Sequence, residues 1–164
     1  MSNLTISPQS VWGDLVKLDV ESLYAGESVG ALPPSNIVPA GTNFSLRLEL
    51  RLRGPLAPFR STLGGQMVVQ YFLESIGPAG EHGHPDIPAV CRDMSPSAGT
   101  NYIISTNVPA GTLAPNSIYR IGAIINTGVI AGGCPVPMPN TLPAFAGPGP
   151  DMTAFVEGLV IQTT

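Results

Sequence analysis

Between positions 44 and 53 the chain reads Phe-Ser-Leu-Arg-Leu-Glu-Leu-Arg-Leu-Arg. Phe44, Leu46, Leu48, Leu50 and Leu52 occupy every second position, with Ser45, Arg47, Glu49, Arg51 and Arg53 between them. A helix would scatter these residues around its circumference, whereas an extended strand puts the apolar set on one face and the polar set on the other. The segment therefore dictates a strand with one buried face. Such a strand needs a second apolar layer to pack on.

Other segments repeat the pattern. Val16, Leu18 and Val20 alternate with Lys17, Asp19 and Glu21 over 15–21, and Tyr102, Ile104, Thr106 and Val108 alternate over 102–108. Segment 66–76 has Met67, Val69, Tyr71 and Leu73 on one side and Val68, Phe72 and Ile76 on the other, which predicts a strand that is central or covered. Segments 117–127 and 153–163 complete six expected strands. The stretches between them, chiefly 24–42, 77–100 and 128–152, are rich in glycine and proline. The 19 glycines, 18 prolines and 11% charge would suit a disordered chain, but the alternating segments would bury too much apolar surface to stay unfolded. The expectation is one all-β domain over 1–164, a two-sheet antiparallel β-sandwich with long stiff loops. Val-Pro-Ala-Gly-Thr occurs at 38–42 and again at 108–112, each copy reading as the same turn chemistry used before a strand.

Leu113-x-Pro115-x-x-x-Tyr119, followed by Ile121, Ala123 and Ile125, resembles the corner entering strand F of immunoglobulin-like and fibronectin type III sandwiches. The resemblance implies that Tyr119 bonds back to nearby backbone, that Leu113 plugs the core and that Pro115 forms the turn. It also implies that the six strands serve as A, B, C, E, F and G. A fold of this kind is used mostly for binding and assembly. The chain departs from the family in its length, its extended loops and the lack of tryptophan in 44–53 and 66–76, and a jelly roll accommodates the same strands.

A net charge of −4 and a pI near 4.9 give no attraction for phosphate backbones or anionic membranes, so neither nucleic acid nor membrane is an expected partner. Asp14, Lys17, Asp19, Glu21 and Glu27 interrupt any apolar leader in the first thirty residues, which makes the cytoplasm the default compartment. A single lysine and sparse charge also suit an extracellular or particle-borne protein.

Catalytic motifs are thin. Gly26-Glu-Ser28-Val-Gly30 matches G-x-S-x-G, but Leu32-Pro33-Pro34 forbids the helix that a nucleophile elbow requires. His82 and His84, with Cys91 and Asp93 nearby, form the one concentration of metal-type ligands. Their spacing matches no closed site, so they read as a solvated loop, with a metal-dependent enzyme as the third-ranked function. No cofactor is expected. Cys91 and Cys134 either pair, closing a 43-residue span, or remain as two small buried thiols. Arg47, Arg51 and Arg53 read as a solvated face, with recognition of an acidic partner as the alternative.

Ile130, Val136, Met138, Leu142, Phe145 and Met152 crowd the nearly uncharged loop 128–152. They either cover the domain's own surface around Val68 and Phe72 or present an extended apolar segment to a partner. The leading expectation is a non-enzymatic structural or assembly subunit that makes protein contacts through these loops, self-association included. The runner-up is a ligand-binding module, carbohydrate among the candidates, using Trp12, Tyr24 or Tyr102 as stacking platforms.

Overall fold

The structure is a computed structural model that describes residues 4–26, 36–76, 87–139, 141–147 and 149–164, with the backbone alone over 4–10. The described strands are β1 (Leu4–Ser10), β2 (Lys17–Gly26), β3 (Ile37–Val38), β4 (Phe44–Arg53), β5 (Gln66–Ile76), β6 (Val90–Asp93), β7 (Asn101–Val108), β8 (Ile118–Gly128) and β9 (Met152–Thr163). One short helix, α1 (Ala57–Thr62), and 3-10 turns at Gly13–Leu15 and Pro96–Ala98 complete the set.

The strands form two sheets. The larger has the order β1-β9-β8-β5-β6, with β3 also on β9, and the smaller has the order β2-β4-β7. All pairs are antiparallel except β3 with β9, so the larger sheet is mixed. The molecule is thus all-β and two-sheeted, as the alternating segments require.

The apolar face of β4 is buried along its whole length and packs with Leu18, Val20, Tyr102, Ile104 and Val108 of its own sheet. Opposite lie Met67, Val69, Tyr71 and Leu73 of β5, Ile121, Ala123 and Ile125 of β8, and Ala154, Val156 and Ile161 of β9. Each fully buried leucine or isoleucine contributes roughly 1.5–3 kcal/mol relative to exposure. In β9 the buried positions change from even (Met152, Ala154, Val156) to odd (Leu159, Ile161, Thr163). A register shift at Gly158, whose φ is +120°, causes the change: the extra residue turns the rest of the strand over so that the core face stays apolar.

The corner before β8 has the hydrogen bond its tyrosine suggested. Ala114 N–H donates to Tyr119 Oη at 3.0 Å, Tyr119 and Leu113 are buried, and Pro115 lies exposed on the turn. Thr163 of β9 braces it by accepting from Ser117 N–H at 2.9 Å and donating to Ala114 O at 2.6 Å. The two Val-Pro-Ala-Gly-Thr turns meet beside it. In each, the threonine hydroxyl donates to the proline carbonyl, at 3.3 Å from Thr42 and 2.7 Å from Thr112, and Gly111 N–H donates to Ala40 O at 2.9 Å.

Several elements differ from expectation. Strand β2 continues to Gly26, into a stretch expected to be loop, and β6 lies within the expected loop 77–100. With four residues, Val-Cys-Arg-Asp, β6 is too short to show a period. β1 carries Pro8 at the register break between Ile6 and Gln9, the place where a strand tolerates a residue without an N–H. Helix α1 is less than two turns long, and its Pro58 sits in the first turn, where that missing donor costs nothing.

Candidate interaction surface

The ends of β1, β4 and β8 and the starts of β2, β5 and β9 share one pole of the molecule, and α1 closes it. The helix buries Ala57, Arg60 and Ser61 and turns Leu56, Phe59 and Leu63 outward. Spaced i, i+3 and i+7, these three lie along one face. Phe59 is 53% exposed and Leu63 55%. Leu56 N–H donates to Leu15 O at 3.1 Å, which brings the exposed Leu15 and the neighbouring 3-10 turn against the helix. Val11 and Val129 are exposed at the same pole.

Beneath this apolar surface lies a polar anchor. The Asp151 carboxylate accepts from Arg60 Nε and Nη2, both at 2.8 Å, from Thr127 Oγ1 at 2.6 Å and from Trp12 Nε1 at 3.3 Å. Arg60 Nη1 donates to Gly64 O at 2.7 Å, and the side chain is 2% exposed. A cation so deeply placed is tolerated because its donors have acceptors.

The loop after β8 folds back over the outer face of the larger sheet. Gln66 points outward there, and its Oε1 accepts from Ile130 N–H at 2.8 Å. Ile130 pairs with Phe145, and Ala146 N–H donates to Val129 O at 2.6 Å. Phe145 lies over Gly128, where a Cβ would come within 2.7 Å of its ring. Cys91 on β6 stands in the same row as Val68 and Asn126 and is bonded to Cys134, with Cα atoms 5.5 Å apart. Val68 is fully buried although it faces outward.

The six apolar residues expected to form an interaction loop are not all brought to the surface. Met152 opens β9 facing the core and Ile130 lies under the loop, both at most 5% exposed; Phe145 and Met138 are half-buried. Val136, at 94%, and Leu142 are exposed. Nothing in the sequence around Met152 marks where β9 begins, so from sequence it belongs to the loop. Leu56, Phe59 and Leu63 are not among the residues expected at a surface contact; their i, i+3, i+7 spacing is the signal in the sequence that marks them.

The stacking candidates each have partners within the domain. Tyr24 lies in β2, not in the loop expected from residue 24, and Tyr102 lies in β7, the strand expected over 102–108. Tyr24 Oη donates to Glu49 at 3.0 Å with Arg47 over its ring, and burial and Glu49 together hold its pKa above the usual value. Tyr102 is 5% exposed and donates to Gly99 O. Trp12 is half-buried on Asp151. Of the three arginines on β4, Arg53 bridges Asp19 and Glu21, Arg47 pairs with Glu49, and Arg51 is exposed. His82, His84 and Ser28 lie outside the described residues. Among those described, no three His, Cys, Asp or Glu side chains gather as a metal site, and no helix is long and apolar enough to cross a membrane.

The outer face of the larger sheet also carries a stacked aromatic pair, Phe72 and Phe155, with centroids 5.5 Å apart and planes 13° apart. Their strands flank β8, and Gly122 of β8 leaves the room: a Cβ there would sit 2.1 Å from Phe72 Cζ.

The fold and surface together define a β-sandwich-like, two-sheet all-β protein with an apolar pole. No protein-family model matches the chain, and no curated protein matches its sequence. Among solved structures it is similar to the C-terminal domain of wzt, with a TM-score of 0.52 and 10% identity over 99% of this chain and 78% of that one. At that identity the likeness is one of fold.

Proposed function

We propose that this chain is a non-enzymatic assembly module, folded as one unit, that docks on protein through its apolar pole, self-association included. The observation that carries the reading is the grouping of Leu15, Leu56, Phe59 and Leu63 on the solvent side of α1 and its neighbouring turn, with Val11 and Val129 beside them. Groups of exposed apolar side chains gathered at one pole are the kind of surface that marks interaction sites. The buried Arg60–Asp151 anchor holds α1 in place, which lowers the ordering cost of binding. An immunoglobulin-type arrangement fits the same reading: β2-β4-β7 corresponds in order to strands A-B-E, and β9-β8-β5-β6 to G-F-C-C′. The test is light scattering of the wild type against Phe59→Glu/Leu63→Glu and Val136→Glu/Met138→Glu. An oligomer dissociated by the first pair supports the pole, and dissociation by the second alone moves the contact to the loop. A wild type that stays monomeric at the highest attainable concentration overturns self-association.

A second reading, a ligand-binding module with carbohydrate as a candidate class, is favoured by the Phe72–Phe155 pair, which Gln70, Asn126 and Thr153 flank with polar groups. A ring face beside amide and hydroxyl groups suits a ligand with one apolar and one polar aspect. Thermal shift across a glycan panel, repeated on Phe155→Ala, tests it; no shift with any glycan overturns it.

A further inference from the structure

We propose that the Cys91–Cys134 disulfide is a redox clasp that fixes the loop after β8, described over 129–139 and 141–147, on the outer face of the larger sheet. It would thereby control access to the sheet face beside that loop, a surface separate from the pole around α1. The loop has two attachments of different kinds. At its base, the Ile130–Phe145 pairing, the Ala146 to Val129 bond and the Ile130 bond to Gln66 Oε1 hold both ends beside β8. Its middle is fastened to β6 by Cys134. Residues 131–137 on either side of that sulfur are exposed or half-buried, and Val136 is almost fully exposed, so little apolar burial there replaces the covalent link.

Beside the clasp lie buried apolar residues. Cys91 shares a row with Val68, which is fully buried on the outward face, outside the main core cluster. Ala89, two residues before Cys91, is 8% exposed and also lies outside that cluster. Opening the clasp would lift the loop from this second apolar layer and leave the sandwich core as it is.

Both cysteines are half-buried, within reach of a small dithiol. One thiolate of the reductant attacks one protein sulfur, breaking the Cys91–Cys134 bond and releasing the other cysteine as a thiolate that takes up a proton; the second thiol of the reductant then attacks the reductant's own sulfur in the mixed disulfide and releases the first cysteine. Two electrons and two protons pass to the protein, which ends with two thiols, and the reductant leaves as its own intramolecular disulfide.

The test is amide hydrogen exchange on the whole chain, oxidised and after dithiothreitol treatment, with thiols counted in both samples. After reduction, amides in 129–147 are expected to exchange at least about tenfold faster while those of β4 and β8 are unchanged, the pattern of a local opening. Cys91→Ser/Cys134→Ser should show the same pattern without reductant. Unchanged loop exchange with two thiols titrated would overturn the clasp. So would loss of protection throughout the sandwich, or two free thiols in protein purified without reductant. Light scattering on the same samples separates the two proposals: a monomer in both redox states defeats self-association through the pole, while the loop's exchange still decides the clasp.

Discussion

Arg60 of α1 and Asp151 at the foot of β9 meet at 2.8 Å across 91 residues of sequence, and the Trp12 indole donates to the same carboxylate. Removing the Asp151 charge strands Arg60, whose side chain is 2% exposed, whereas Asp151 is 26% exposed and keeps Thr127 and Trp12 as donors when Arg60 is removed. Asp151→Asn should destabilise the protein by about 3 kcal/mol, and Arg60→Ala by less. Denaturant unfolding measures this directly. Trp12 is the single tryptophan, so its emission should also move to longer wavelength in the native Asp151→Asn protein.

Two buried tyrosines should respond to phenylalanine with opposite signs. Tyr119 Oη accepts the Ala114 N–H, so Tyr119→Phe leaves that amide without its acceptor and should cost about 1 kcal/mol. Tyr71 Oη is buried with no hydrogen-bond partner among the described residues, so Tyr71→Phe removes an unsatisfied hydroxyl and should be neutral or stabilising by up to about 1 kcal/mol. Equal losses in the two variants would refute the distinction.

The same hydroxyl sets a pH dependence. Burial holds the Tyr71 pKa above its ordinary value of 10.0. Below that value both folded and unfolded forms keep the proton and the full stability is present. Above it the unfolded chain gives up the proton first, so stability falls as pH rises. Unfolding free energies measured from pH 8 upward should decline beyond about pH 10, and the decline should be shallower in Tyr71→Phe.

Gly122→Ala tests the outer aromatic pair. The new methyl would meet the Phe72 ring at 2.1 Å and Val156 O at 2.7 Å. The ring can move but the carbonyl belongs to the neighbouring strand, so a loss of about 2–3 kcal/mol is expected in thermal or chemical unfolding. Phe72→Leu in the same chain should recover only part of it.

Strands whose alternation is long enough to fix a face were legible in the sequence: 44–53 above all, then 66–76 and 117–127. The Tyr119 corner was legible because a proline and a tyrosine at that spacing do specific geometric work. What could not be read were contacts made by pairing alone. Val90–Asp93 has no period, and Pro8 disguises β1. The exposed apolar surface was legible only in part, because the apolar content of 128–152 does not say which side chains turn inward. Exposure depends on which face is turned inward. Met152 and Ile130 are buried by β9 and by the fold of the loop, while Leu56, Phe59 and Leu63 point outward because Arg60 is drawn in toward Asp151.

Strand β9 follows all the other described strands along the chain, yet it pairs with β1, β3 and β8 and holds an interior place in the larger sheet. During vectorial synthesis the smaller sheet has all three of its strands once residue 108 has emerged. The larger sheet, by contrast, must hold β1 and β8 with unpaired edges until residues 152–163 clear the ribosome. A nascent chain is therefore exposed to faulty strand pairing for the whole time the glycine- and proline-rich loop is being made.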